Sequence, residues 1–223
     1  MKKEVLKHKN IQYVFSAPED FDENKKYPTI FFLHGAGTRG TDIKPLINNP
    51  YFKQTEAFKL DIVTFAPQCY KDSWFDIFEQ LQDFIEFALE NKFVDKEKVY
   101  VVGASMGGYA TWQIAMTMPD KFAAIVPVCG GGMYWNAARL KNVKVWAFHG
   151  SEDDIVYVNE SINMVDSVNK NGGEAKLTIC EGVGHASWIN AYTNPELFEW
   201  LLSQSKTREE NFENKFNNEE LFG

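Results

Sequence analysis

The sequence is short of cysteine, histidine and positive charge, and each shortage excludes a class of protein. Its 223 residues hold 3 cysteines, Cys69, Cys129 and Cys180, an odd number, widely spaced and without a C-x-x-C pair. That argues against a disulfide framework and against a structural zinc site. Cys129 and Cys180 end apolar runs, where a free cysteine acts as a small hydrophobe. The expectation is a reducing, cytoplasmic setting. Lys plus Arg number 23 against 31 Asp plus Glu, a formal charge of −8. A nucleic-acid binder carries a basic footprint, and this chain has none. No apolar run approaches the roughly 18 residues of a membrane helix, so no membrane partner is expected. Residues 1–10 carry Lys2, Lys3, Glu4, Lys7 and Lys9 with no apolar stretch and do not read as a signal peptide. Internal repeats and low-complexity linkers are also missing.

What is present suits one large domain. Aromatics make up 15% of the chain, with 18 Phe, 9 Tyr and 6 Trp, which suggests a wide core or an aromatic-lined pocket. Six short apolar runs end in Gly, Pro or an acidic turn: Ile30 to Leu33, Ile62 to Ala66, Val99 to Val102, Ala124 to Cys129, Val143 to Phe148 and Leu177 to Cys180. Such runs read as strands buried on both faces. Helical periodicity falls between them, over 75–92, 105–118, 158–170 and 196–202. The alternation predicts an α/β fold, a mostly parallel sheet with helices on both faces. Residues 4–16 read as a hairpin on the sheet edge. The long gap 38–59 is expected to hold a helix. Residues 1–204 form the expected domain, with no room for a cap domain, and 205–223 an acidic polar tail, frayed or a short helix.

In an open parallel sheet, ligands sit at the carboxyl ends of the strands. Gly103-Ala104-Ser105-Met106-Gly107 is a G-x-S-x-G between a strand and a helix. The glycines permit a tight turn that exposes the Ser105 hydroxyl at the helix N-terminus. The bland alternative is a glycine-rich turn with Ser105 as N-cap. A serine nucleophile needs a base, and there are 4 histidines to supply one. His8 lies in the charged N-terminal segment and reads as a surface residue. His34 and His149 each precede Gly at a strand end and read as structural or loop-orienting. His185 follows the last strand on a Gly-flanked loop and fits the order Ser–acid–His. The acid lies between, in Glu152-Asp153-Asp154. Asp153 is preferred, with Asp154 second and Glu152 third, because an Asp is short and rigid enough to hold an imidazole tautomer. Two backbone N–H groups would stabilise a developing oxyanion. One is that of Met106, and the other that of Ala36 in His34-Gly35-Ala36-Gly37, with Gly37 as the alternative.

Leu33-His34-Gly35-Ala36-Gly37-Thr38-Arg39-Gly40, Pro67-Gln68-Cys69, Gly103 to Gly108, His149 to Asp153 and Gly184-His185-Ala186-Ser187-Trp188 together resemble the α/β-hydrolase superfamily. The resemblance covers residues 10–204 and is nearest to small bacterial esterases of the "predicted peptidase" group. These are akin to polyhydroxybutyrate depolymerase-like, feruloyl-esterase-like and prolyl-oligopeptidase-like hydrolases. It implies Ser105 as nucleophile, Asp153 as acid and His185 as base, with Ala36 and Met106 as oxyanion donors. It implies no metal and no organic cofactor. The family often has Pro after the acid, where this chain has Asp154.

The expected activity is carboxylic-ester hydrolysis on a small-molecule, aryl-linked or carbohydrate-linked ester. A small serine peptidase is the enzymatic alternative, and a non-catalytic binding module on the same fold is the alternative of another class. Trp74, Trp188 and Gln68 are expected substrate contacts, with Tyr109 and Trp135 as weaker candidates. The aromatic surplus is expected to wall an open site.

Overall fold

The computed structural model describes residues 1–206. The remainder of the expected tail lies outside the described residues. Eight strands form one sheet: β1 (Lys2–His8), β2 (Ile11–Ala17), β3 (Tyr27–Leu33), β4 (Val63–Pro67), β5 (Val94–Ala104), β6 (Ala124–Val128), β7 (Lys144–Gly150) and β8 (Ala175–Cys180), in the order β1-β2-β4-β3-β5-β6-β7-β8. Strands β3 to β8 pair in parallel. The hairpin β1–β2 joins this body antiparallel through β2 and β4, leaving β1 on the edge. The edge strand KKEVLKH is almost wholly exposed and charged, a composition that discourages pairing with other chains.

The apolar runs are continuous because both sheet faces are covered. Successive strand side chains alternate in direction, so Phe31 and Leu33 join one core cluster and Ile30 and Phe32 the other. Helices α3 (Phe78–Leu89), α4 (Met106–Thr117) and α5 (Asn159–Lys170) cover the first face with Leu81, Phe84, Trp112, Met164 and Val168. The second face lies under α2 (Pro50–Ala57), α6 (Trp188–Thr193) and α7 (Pro195–Ser203), which contribute Phe52, Tyr192 and Phe198. Each fully buried large side chain is worth roughly 1.5–3 kcal/mol.

The gap after β3 holds two helices, α1 (Lys44–Ile47) and α2. Helix α2 starts where the Asn49 side chain accepts from Tyr51 N–H and Pro50 takes the first turn. The helical segment expected over 75–92 is in two parts. A 3-10 turn, Trp74–Ile77, is opened by a capping box between Ser73 and Asp76, and α3 then runs to Leu89.

Two expectations are corrected by the packing. Most of the aromatic surplus is core, and only a few of its rings reach the pocket wall. Trp74, Trp112, Tyr51, Tyr100, Phe31, Phe65, Phe84 and Phe122 are among the largest fully buried side chains. His8 is not a free surface residue. It stacks on Phe87 of α3 with ring centroids 4.0 Å apart, and its Nε2 lies 2.9 Å from Asp83. The hairpin folds down onto α3 and carries His8 with it. All three cysteines are free and buried. No helix among the described residues is long and apolar enough to cross a membrane.

Candidate active site

The turn from β5 into α4 is the tightest packing in the site. A Cβ on Gly107 would lie 1.9 Å from the Leu33 carbonyl oxygen, and one on Gly103 would lie 2.4 Å from that of Gly107. Only hydrogen fits there, so the first turn of α4 presses against the end of β3. Ser105 is forced to φ 57°, ψ −119°, a left-handed conformation rare for a residue with a side chain. Such strain costs of order 1–3 kcal/mol and persists because the surroundings over-determine it. Here the Ser105 N–H donates to Val128 O at 2.9 Å, and Tyr109 N–H donates to Ser105 O at 3.0 Å.

The Ser105 hydroxyl meets His185, which stands on the loop between β8 and α6. Oγ and Nε2 are 2.8 Å apart. On the other side of the ring, Nδ1 lies 2.8 Å from Oδ2 and 3.0 Å from Oδ1 of Asp153. A carboxylate only accepts. The proton therefore sits on Nδ1, and Nε2 is left as an acceptor for the serine O–H. Trp188 packs edge-on against the His185 ring, with centroids 5.5 Å apart at 88°.

Asp153 is buried in the loop after β7, whereas its neighbours Glu152 and Asp154 are exposed. Its Oδ1 accepts from the backbone N–H groups of Ile155 at 3.0 Å and Val156 at 2.9 Å. Burial alone would raise its carboxyl. The donors outweigh it, first Val156 N–H, then His185 and Ile155 N–H, and hold the group below the ordinary carboxylate range.

A cavity of about 480 Å³ opens at Ser105 and His185. Its apolar wall includes Phe32, Pro50, Ile155, Trp188 and Tyr192, and none of its lining residues is Asp, Glu, Lys or Arg. Ala36 and Gly37 line it too, at the start of a 3-10 turn, Ala36–Thr38. Met106 opens α4 immediately after Ser105 and packs its side chain on the core.

His34 and His149 are both buried and hydrogen-bonded. The Nε2 of His34 accepts from Cys69 N–H at 3.0 Å, and Nδ1–H donates to Gly35 O at 2.8 Å. Burial lowers the His34 pKa to about 4, although the bond to Gly35 works against it. His34 thereby ties the loop beside the cavity to the end of β4 as a neutral ring.

Two expected substrate contacts lie elsewhere. Trp74 is fully buried beneath the end of β3, with its indole N–H donating to His34 O at 3.0 Å. Its 3-10 turn aims the ring into the core. Gln68 is buried and donates to the Thr38 carbonyl, bracing the 38–40 loop from behind. Tyr109 and Trp135 do not line the cavity either, and Trp135 is 72% exposed. Of the aromatics expected to touch substrate, Trp188 alone is in the cavity wall. Ile155, Asn49, Pro50 and Tyr192 are lining residues that sequence reasoning missed. The Asn-Pro start of α2 was the one local signal available for two of them.

Among the described residues, Cys129, Asp153 and His185 bring one potential metal-ligand atom each within 4.8 Å of one another. Their chemistry suits a metal poorly. Asp153 and His185 already engage each other, and burial pushes the Cys129 thiol up to about 12, far from thiolate formation.

A serine on a strained strand–helix turn, with an imidazole and a carboxylate behind it, is an arrangement that suits nucleophilic hydrolysis on a parallel α/β sheet. The chain has the α/β-hydrolase fold. Residues 64–137 match the prolyl oligopeptidase family. A curated relative named "Probable feruloyl esterase C", from Aspergillus terreus, is 23% identical over 167 residues, covering 73% of this chain and 62% of its own length. The chain thus spans under two thirds of that relative. The crystal structure of a thermostable esterase is 32% identical with a TM-score of 0.82, covering 92% of this chain and 63% of that one. A ferulic acid esterase structure shares the fold at 14% identity and a TM-score of 0.68, covering 90% of this chain and 97% of that one.

Proposed function

We propose that this chain is a serine hydrolase that cleaves carboxylic esters through an acyl-enzyme. The observation that carries the reading is the unbroken chain from Ser105 Oγ to His185 to Asp153, at 2.8 Å and 2.8 Å, at the mouth of a cavity. Ser105 Oγ attacks the ester carbonyl carbon while His185 Nε2 takes its proton. Asp153 stabilises the resulting imidazolium and keeps the ring in register. The backbone N–H groups of Ala36 and Met106 face the oxyanion as it forms. His185 then gives the proton to the departing alkoxide, and the alcohol leaves. Water attacks the acyl-enzyme, passes a proton to His185, and the acid leaves as Ser105 regains its hydrogen. Residues 1–204 serve as the catalytic unit, and no cofactor enters the cycle.

A lining without formal charge favours an ester whose seated group is neutral and largely apolar, aryl or short aliphatic, with a sugar or other alcohol at the open side. Ser105→Ala should lower p-nitrophenyl acetate turnover by several decades in a folded protein and abolish labelling by a fluorophosphonate. Turnover at the wild-type rate would remove Ser105 from the mechanism. Amide hydrolysis is a second reading, favoured by the match to the prolyl oligopeptidase family over 64–137. Aryl esters assayed beside aminoacyl and prolyl anilides separate the two.

A further inference from the structure

His149 is a fully buried histidine that the proposed cycle does not use. It lies on β7, directly before the loop that carries Asp153. Its Nε2 is 2.8 Å from Val156 O and 3.3 Å from Asp153 Oδ2. Both neighbours are acceptors, so Nε2 carries a proton. On the other side, Nδ1 lies 2.7 Å from Ser161 Oγ, in α5. The single proton of the Ser161 hydroxyl serves either Nδ1 or Gly130 O, which lies 3.0 Å from Oγ in the loop after β6. The ring is therefore tied directly to the 153–156 loop and to α5.

The partner on its far side matters most. Val156, whose carbonyl His149 holds, is the residue whose own N–H donates to Asp153 Oδ1. His149 thus acts on the carboxylate at both oxygens. Its N–H stands beside Oδ2, and its grip on Val156 holds in place a donor to Oδ1. Oδ2 sits between two imidazoles, His185 at 2.8 Å and His149 at 3.3 Å.

We propose that His149 is a positioning residue for the reaction, a second histidine on Asp153 that fixes the orientation of the acid towards His185. This rests on the reading of Ser105, His185 and Asp153 as the catalytic residues. A histidine that merely filled space would affect stability alone. One that acts through Asp153 lowers kcat at constant KM, and does so only while Asp153 is present.

The test is steady-state hydrolysis of p-nitrophenyl acetate by His149→Phe, His149→Gln and Ser161→Ala, each in the wild-type and Asp153→Asn backgrounds, with Ser105→Ala alongside. His149→Phe removes the N–H and should lower kcat about 10- to 100-fold with KM unchanged, the scale of one charge-assisted hydrogen bond. Gln can place an N–H near the position of Nε2 and should recover most of that loss. In the Asp153→Asn background the same substitution should add less than about twofold, because coupled residues are non-additive. Equal losses in both backgrounds, or a Gln variant no better than Phe, would overturn the proposal. So would a lower melting temperature with kcat intact. Should His149→Phe not fold, Ser161→Ala carries the same comparison, with an expected loss of about 3- to 10-fold confined to the Asp153 background. Full activity in Ser105→Ala would instead remove the catalytic reading itself, a result distinct from any His149 outcome.

Discussion

Replacing Asp153 by Asn changes one atom, and the structure dictates which way the new amide faces. Oδ1 accepts from the Ile155 and Val156 N–H groups at 3.0 and 2.9 Å. The amide carbonyl must take that place, because the two backbone donors cannot give up their protons, whereas an imidazole facing Oδ2 can change tautomer. The NH2 then points at His185 Nδ1, which stands 2.8 Å from Oδ2 in the native side chain. Two N–H groups cannot face each other, so the imidazole must move its proton to Nε2. That nitrogen is the one the proposed cycle uses as the base for Ser105, 2.8 Å away. The ring stays in position and becomes useless. A wrong tautomer of this kind costs about 10³- to 10⁴-fold in kcat, or roughly 4–5.5 kcal/mol of barrier. Asp154→Asn, on an exposed neighbour, should change kcat by less than about twofold. Initial rates on p-nitrophenyl acetate, with circular dichroism to verify folding, measure both. An Asp153→Asn enzyme within tenfold of wild type would refute the tautomer reasoning. A collapse in Asp154→Asn would move the acid to its neighbour.

Two further outcomes concern stability. His34 is neutral when folded, with a pKa of about 4 against 6.5 unfolded. Below pH 6.5 the unfolded chain binds the extra proton, so stability is complete above 6.5 and falls as the pH drops towards 4, by on the order of 3 kcal/mol. Asp153, depressed when folded, adds a loss only at lower pH, as the pH falls below the ordinary carboxylate range through its folded value. Urea midpoints should therefore decline from pH 7 to pH 4 in the wild type and decline less in His34→Gln, and a flat wild-type profile would contradict the His34 assignment. Gly107→Ala, which drives a Cβ to 1.9 Å from Leu33 O, should prevent folding or lower the melting temperature severely. Gly37→Ala meets nothing within 4 Å and should fold normally. Equal melting temperatures for the two variants would undo the account of the turn.

The sheet was legible because its strands are covered on both faces, which leaves unbroken runs such as Ile30 to Leu33. The turn at Ser105 was legible because glycines at 103 and 107 mark it, where a Cβ would meet backbone oxygen at 2.4 and 1.9 Å. Asp153 stood out little from its neighbours in the sequence. Glu152 and Asp154 flank it, and only the backbone donors at 155 and 156 show which carboxylate turns inward. Trp74 and Gln68 were misplaced because closeness in sequence to a strand end does not fix the direction of a side chain. A capping box at Ser73 turned one inward, and a bond to Thr38 took up the other. The cavity wall was hardest to foresee. Tyr192 and Pro50 reach it from α6 and α2, whose meeting over the sheet is a matter of packing between segments more than a hundred residues apart.

The hydrogen bonds that hold Ser105, His185 and Asp153 together close spans of 80 and 32 residues, linking the ends of β5, β7 and β8 across the intervening β6. Contacts so distant in sequence are late and slow to form, because the closure entropy of the chain comes before their reward. During refolding from urea, the far-UV signal of the helices should return first and ester turnover last. Turnover then becomes a clock for the docking of the final strand, and an arrested intermediate would be helical, compact and inert.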